Sequence, residues 1–111
     1  MSPHIKESDW KIFRDLQPLA LDRFCQRVLL EAAEQISDSG KTSHERYLGL
    51  YRLLKRRDKE LANAFDEPSR SSAIIQLAKI QHEGLLTKEE LARFSAETRN
   101  AVQGLLDIWR S

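Results

Sequence analysis

The chain has 111 residues, 41% hydrophobic and 32% charged, and its eighteen basic side chains against seventeen acidic ones leave a net charge of +1. That length suits a single domain, residues 1–111, with one core and a folded surface of roughly 6,300 Å². The composition is too apolar for disorder and, with four glycines and three prolines, too poor in turn formers for a β-sandwich or barrel; near-neutrality excludes a generally basic binder of nucleic acid or anionic membrane.

The first segment places Trp10, Phe13, Gln17, Leu21, Phe24, Val28, Ala32 and Ile36 at steps of three or four, the spacing of one helix face. Ser8 stands where a cap is wanted. Pro18 falls inside the pattern; proline removes an amide donor and crowds the carbonyl four residues back, here that of Arg14, and it is favoured at a first helical position. A short helix followed by a long one over about 18–37 is therefore expected, with one kinked helix as the alternative. A second stripe of Ile12, Leu16 and Leu19, joined by Leu30, runs along the other side.

Residues 37–41 read as a loop, and Thr42 with Glu45 forms a capping box. It opens a helix over about 43–65. At 100° per residue Tyr47, Leu50, Tyr51, Leu54, Leu61, Ala62 and Phe65 share an arc about 120° wide, expected to face inward, with Leu48 and Leu53 flanking it. Asp66, Glu67 and Pro68 break the chain, and the serines at 69, 71 and 72 offer caps to a segment whose Ala73, Ile74, Leu77, Ala78 and Ile80 fill a wide arc. Gly84 is placed to stop that segment in a left-handed C-cap. Thr87 with Glu90 makes a second capping box for a short helix over 88–94, and Ser95 caps a last helix reaching about 109. The expected architecture is all-α: a compact bundle of five to six helices, the two long ones at about 18–37 and 43–65 packed antiparallel with three shorter C-terminal helices.

The most uneven surface belongs to the second long helix. Arg52, Lys55, Arg56 and Lys59, at i, i+3, i+4 and i+7, form a basic stripe opposite the apolar arc. Such a stripe suits phosphates or an acidic partner, and equally a solvated face favoured by the helix dipole. Asp58 falls within the apolar arc, between Leu54 and Leu61 and close in angle to Tyr51. A carboxylate there needs a partner, so Asp58, Tyr51 and Arg57 form the candidate buried polar site. His4, His44 and His82 lack metal-ligand spacing, Cys25 has no assignable base, and no GxSxG, SxxK, GxxxxGK[ST] or GxGxxG motif occurs. No catalytic, cofactor or metal site is expected. The last helix is nearly neutral, unlike a groove-reading helix of a helix-turn-helix unit.

Apolar residues outnumber what one small core needs, which makes Trp10, Ile12, Leu16, Leu19 and Trp109 candidate interface residues. The lone thiol, the absence of an apolar signal core in MSPHIKESDW and the absence of a ~20-residue apolar stretch lead to the expectation of a soluble cytoplasmic protein with no membrane contact. The expected function is that of a small non-enzymatic protein-interaction or regulatory protein, forming a homodimer or binding another protein. The alternative is a nucleic-acid-associated protein using the basic face at 52–59.

Overall fold

In the computed structural model, which describes residues 5–111 and so leaves His4 outside the described residues, the first segment forms one helix, α1 (Glu7–Ser37), of 31 residues. The expected separation at Pro18 does not occur. Phe13, Leu16, Ala20 and Phe24 are all buried on one face that continues past the proline. Burying each large apolar side chain is worth about 1.5–3 kcal/mol, which together exceeds the roughly 3 kcal/mol that an interior proline costs. Pro18 itself is on the exposed side, where water reaches the carbonyl that has lost its donor. The helix also starts at Glu7 rather than after Ser8, with Lys6 at the cap and no side-chain cap bond.

The second helix, α2 (Ser43–Phe65), begins at the anticipated box: the Glu45 amide donates to Thr42 Oγ1 at 3.1 Å and the Thr42 amide donates to Glu45 Oε1 at 2.9 Å. It returns antiparallel along α1. Gln17 donating to the Phe65 carbonyl, Arg57 to Glu31 and Arg46 to the Ile36 carbonyl mark the pairing at three levels. A turn through Glu67, whose φ is +48°, leads to α3 (Ala73–His82), buried on more than one side as its wide arc implied. Gly84 adopts the left-handed conformation, φ +67°, that a C-cap requires. The second capping box forms at α4 (Lys88–Leu91), which ends earlier than expected, and Ser95 caps α5 (Ala96–Arg110). Among the described residues 78% are helical and there is no strand, so the protein is an all-α bundle of two long helices and shorter C-terminal ones.

The core is not spread evenly. It joins Ile5 and the first part of α1 as far as Phe24, the end of α2 at Ala64 and Phe65, and apolar residues from Ala73 to Leu106. The remainder of α1 and α2, residues 25–60, projects from this head as a two-helix arm whose buried apolar residues, Ala32 and Leu53, stand apart from the main core. Hence the molecule measures 54 × 26 × 24 Å, with a radius of gyration of 16.7 Å, against about 13 Å for a compact domain of this length. Its surface of 7414 Å² likewise exceeds the roughly 6,300 Å² expected.

Two polar clamps fasten the head. Asp9, on the inner face of α1 and 2% exposed, accepts from the Ser95 amide at 2.9 Å, Ser95 Oγ at 2.5 Å and Thr98 Oγ1 at 2.6 Å, tying α1 to the start of α5. Burial pushes the Asp9 carboxyl up, but these donors outweigh it and the net shift is downward. Arg23 donates twice to Glu90, at 2.7 and 2.9 Å, and once to the Leu85 carbonyl at 2.8 Å. The Arg23 guanidinium and the Thr87 amide hold the Glu90 carboxyl at about 2.

Candidate functional site

The arm is where the pattern of the sequence and the packing part company. Arg46, Gly49, Leu53 and Arg57 turn toward α1, about 100° around α2 from the arc expected to face inward. Gly49 lets the helices approach closely, since a Cβ there would collide with the Gln35 side chain. Arg57 then crosses the seam, donating to Glu31 at 2.5 Å and to Glu60 at 2.6 Å, and both carboxylates raise its pKa further. With that face committed, Tyr47, Tyr51, Leu54 and Ala62 turn outward, Tyr51 to 56% exposure and Leu54 to 44%.

The result is an open groove of about 560 Å³ between the two helices. Phe24, Cys25, Val28 and Leu29 of α1 form one wall and Tyr51, Leu54 and Leu61 of α2 the other, with Lys55, Arg57 and Asp58 supplying its polar atoms. Leu29 is 68% exposed, and Leu30 and Ile36 nearby are exposed as well. Cys25 is a half-buried free thiol in this wall.

The expected buried polar site does not form as such. Asp58, Tyr51 and Arg57 do share the groove, but Asp58 and Tyr51 are exposed. Asp58 has no hydrogen bond or ion pair among the described residues, its carboxylate being exposed to solvent at the open groove. The basic stripe is divided. Lys55 borders the apolar groove, with its ammonium 6.0 Å from the Tyr51 ring centre, whereas Arg52 and Arg56 line a separate cleft of about 410 Å³ with Glu31, Glu34 and Asp38. None of Arg52, Lys55, Arg56 and Lys59 has an ion-pair partner among the described residues.

The expected interface residues also separate. Trp10 and Leu16 are buried in the head and Ile12 packs against its core, because the C-terminal helices cover that stripe. Trp10 is further screened by Arg70, whose guanidinium lies 5.3 Å from its ring centre while holding Glu7. Leu19 and Trp109 remain exposed, the latter edge-on to His82 at 6.1 Å beside a smaller pocket formed with Asn63 and Lys79.

Two features have little local signature in the sequence. Leu29 lies beside the main apolar line, and its signal is only its place four residues after Cys25 and seven before Ile36. Asp9 carries no local signal, because its donors are 86 and 89 residues away. Comparison with protein-family models, curated proteins and solved structures finds no match to this chain. No described helix is long and apolar enough to cross a membrane.

Proposed function

We propose that the chain is a small non-enzymatic protein-interaction protein whose arm is the contact surface and whose head is the folded anchor that holds the arm out. The observation supporting this most directly is the apolar groove along the arm. Of the ten exposed large hydrophobic side chains among the described residues, six, Leu29, Leu30, Ile36, Tyr47, Tyr51 and Leu54, belong to the arm. Scattered exposure would need no explanation, but Leu29, Tyr51 and Leu54 meet in one groove, and a contiguous apolar patch does need one. The polar groups of the groove are poorly suited to catalysis: Arg57 is held by two carboxylates, and Asp58 and Tyr51 lie open to water with no second catalytic group beside them. The free Cys25 suits a reducing, cytoplasmic setting.

Affinity capture with the full chain and with a Leu29→Asp/Leu54→Asp variant tests the reading, with a thermal melt confirming that the variant keeps its head. A protein retained by the first and released by the second is the expected result. Recovery of the same proteins by both would overturn it.

A second reading, binding of nucleic acid, draws on the four cations Arg52, Lys55, Arg56 and Lys59, none of them ion-paired among the described residues. Each phosphate neutralised on duplex DNA contributes about −0.9 to the log-log salt slope. Titration with duplex and single-stranded oligonucleotides at low salt decides it, and absence of binding there removes the idea.

A further inference from the structure

The residues lining the groove indicate what fits it. Along α2, Tyr51, Leu54, Asp58 and Leu61 line it at alternating steps of three and four, the heptad spacing of a coiled-coil seam, which Tyr47 continues beyond the groove; on α1 Cys25 and Leu29 line it, and Ala32 and Ile36 continue the same spacing past it. The two helices already pack on each other through adjacent faces, so the arm resembles half of a four-helix arrangement with its other side uncovered. One position of the α2 seam is charged. Asp58 interrupts the apolar series, and Lys55 stands three residues before it; both are exposed and neither has an ion-pair partner among the described residues. A partner of one charge sign would satisfy one of these groups and repel the other. A two-fold axis satisfies both, because a patch carrying its own complement pairs with itself.

We propose that the groove is filled by a second copy of this chain, the two arms meeting antiparallel to close a four-helix bundle in which each Lys55 pairs with the Asp58 of the other copy. The proposal rests on the reading of the arm as a protein-binding surface. In the register that lays Tyr51 against Leu61 and Leu54 against Asp58 of the second copy, the four seam positions from Tyr51 to Leu61 meet one another, and Tyr47 falls opposite the end of the facing α2, where Phe65 is buried in the head. Lys55 then arrives one residue from the facing Asp58. The facing Arg57 adds little repulsion, being neutralised by Glu31 and Glu60. A parallel pairing of the two α2 helices would instead set Lys55 against Lys55 and Asp58 against Asp58. The antiparallel arrangement also keeps the two heads at opposite ends.

The patch sets the strength. From Tyr51 to Leu61, the part that overlaps in this register, it is about 15 Å long and two helix diameters wide, roughly 330 Å² on each copy, which is well below the ~1,200 Å² total at the lower end of standard interfaces. Association is therefore weak, forming at micromolar rather than nanomolar concentrations.

Sedimentation equilibrium of the full chain from about 5 µM to about 1 mM tests this over the range where weak interfaces assemble. The wild type is expected to dimerise with increasing concentration, less so at high salt. Lys55→Glu and Asp58→Lys alone each weaken the dimer about tenfold or more, and the double variant Lys55→Glu/Asp58→Lys recovers to within about threefold of wild type, since the pair is reciprocal. Alkylation of Cys25 slows in step with dimer formation. A monomer at the highest concentration, or a double variant no tighter than the single ones, overturns the proposal. If that monomer still loses a captured protein on Leu29→Asp/Leu54→Asp, self-association falls while the arm remains a protein-binding surface.

Discussion

Phe13 in the head and Leu54 in the arm are both large apolar residues on the apolar faces of long helices, yet Phe13 is 1% exposed and Leu54 44%. What separates them is the supply of a third element. In the head α3 and α5 cover α1 and the end of α2; in the arm two helices meet alone, and a two-helix seam buries a strip rather than a face. Periodicity states which side of a helix is apolar and says nothing of whether the molecule has anything to lay over it. Phe13→Ala is accordingly expected to destabilise by about 3–5 kcal/mol, as for a large residue removed from a packed core. Leu54→Ala is expected to cost less than about 1 kcal/mol, as for a surface substitution with partial burial. Denaturant titrations of both variants at a protein concentration low enough to keep the arm unpaired measure the contrast, and equal losses would erase it.

A pair of aspartates repeats the contrast in polar form. Asp9 and Asp58 both interrupt apolar faces, but Asp9 is enclosed and satisfied by three donors from α5 and its cap, while Asp58 is hydrated. Hydrogen bonds to a charged group are worth about 1.5–3 kcal/mol, so Asp9→Asn is expected to cost about 2 kcal/mol and Asp58→Asn under about 0.5. The same clamp sets the acid limit of the fold. Asp9 and Glu90 have carboxyls depressed in the folded state, Glu90 to about 2, so the unfolded chain binds protons more readily. Their contribution is fully present above the unfolded carboxylate values of roughly 4–4.5 and is lost as pH falls through the folded ones. The urea midpoint should fall between about pH 5 and pH 2, less steeply in Asp9→Asn. A wild-type midpoint flat over that range would show that neither clamp contributes.

These pairs also explain how much could be read without coordinates. The boxes at Thr42 with Glu45 and Thr87 with Glu90, the cap at Ser95 and the left-handed stop at Gly84 depend on partners a few residues away, and each forms where its residues indicate. The rotation of α2 depends on Gly49 meeting Gln35 and on Arg57 reaching Glu31 26 residues back, which no local pattern encodes. Pro18 is decided in the same way: its local preference to start a helix yields to Phe13, Leu16, Ala20 and Phe24 packing as one face. The candidate site was legible as a set of residue types, with Tyr51, Asp58 and Lys55 singled out, while its openness to water was not.

The smallest expected effect concerns two glycines inside helices. A Cβ added at Gly104, on the outer side of α5 in the head, meets nothing within 4 Å. Gly104→Ala should therefore realise the full helix-propensity gain, about 0.8–1 kcal/mol of added stability. At Gly49 the same gain is opposed, because the new methyl must displace the amide end of Gln35 from the seam. That side chain is half-exposed and flexible, so it can swing aside, and Gly49→Ala should end near neutral rather than strongly destabilising. Thermal melts compare the two net effects, and amide exchange separates the arm from the head. Faster exchange confined to residues near Gln35 and Gly49 would show the arm loosening while the head stays closed. A full propensity gain at Gly49 would mean instead that the two arm helices sit further apart than their seam requires, leaving Arg57 and its carboxylates as the main bond between them.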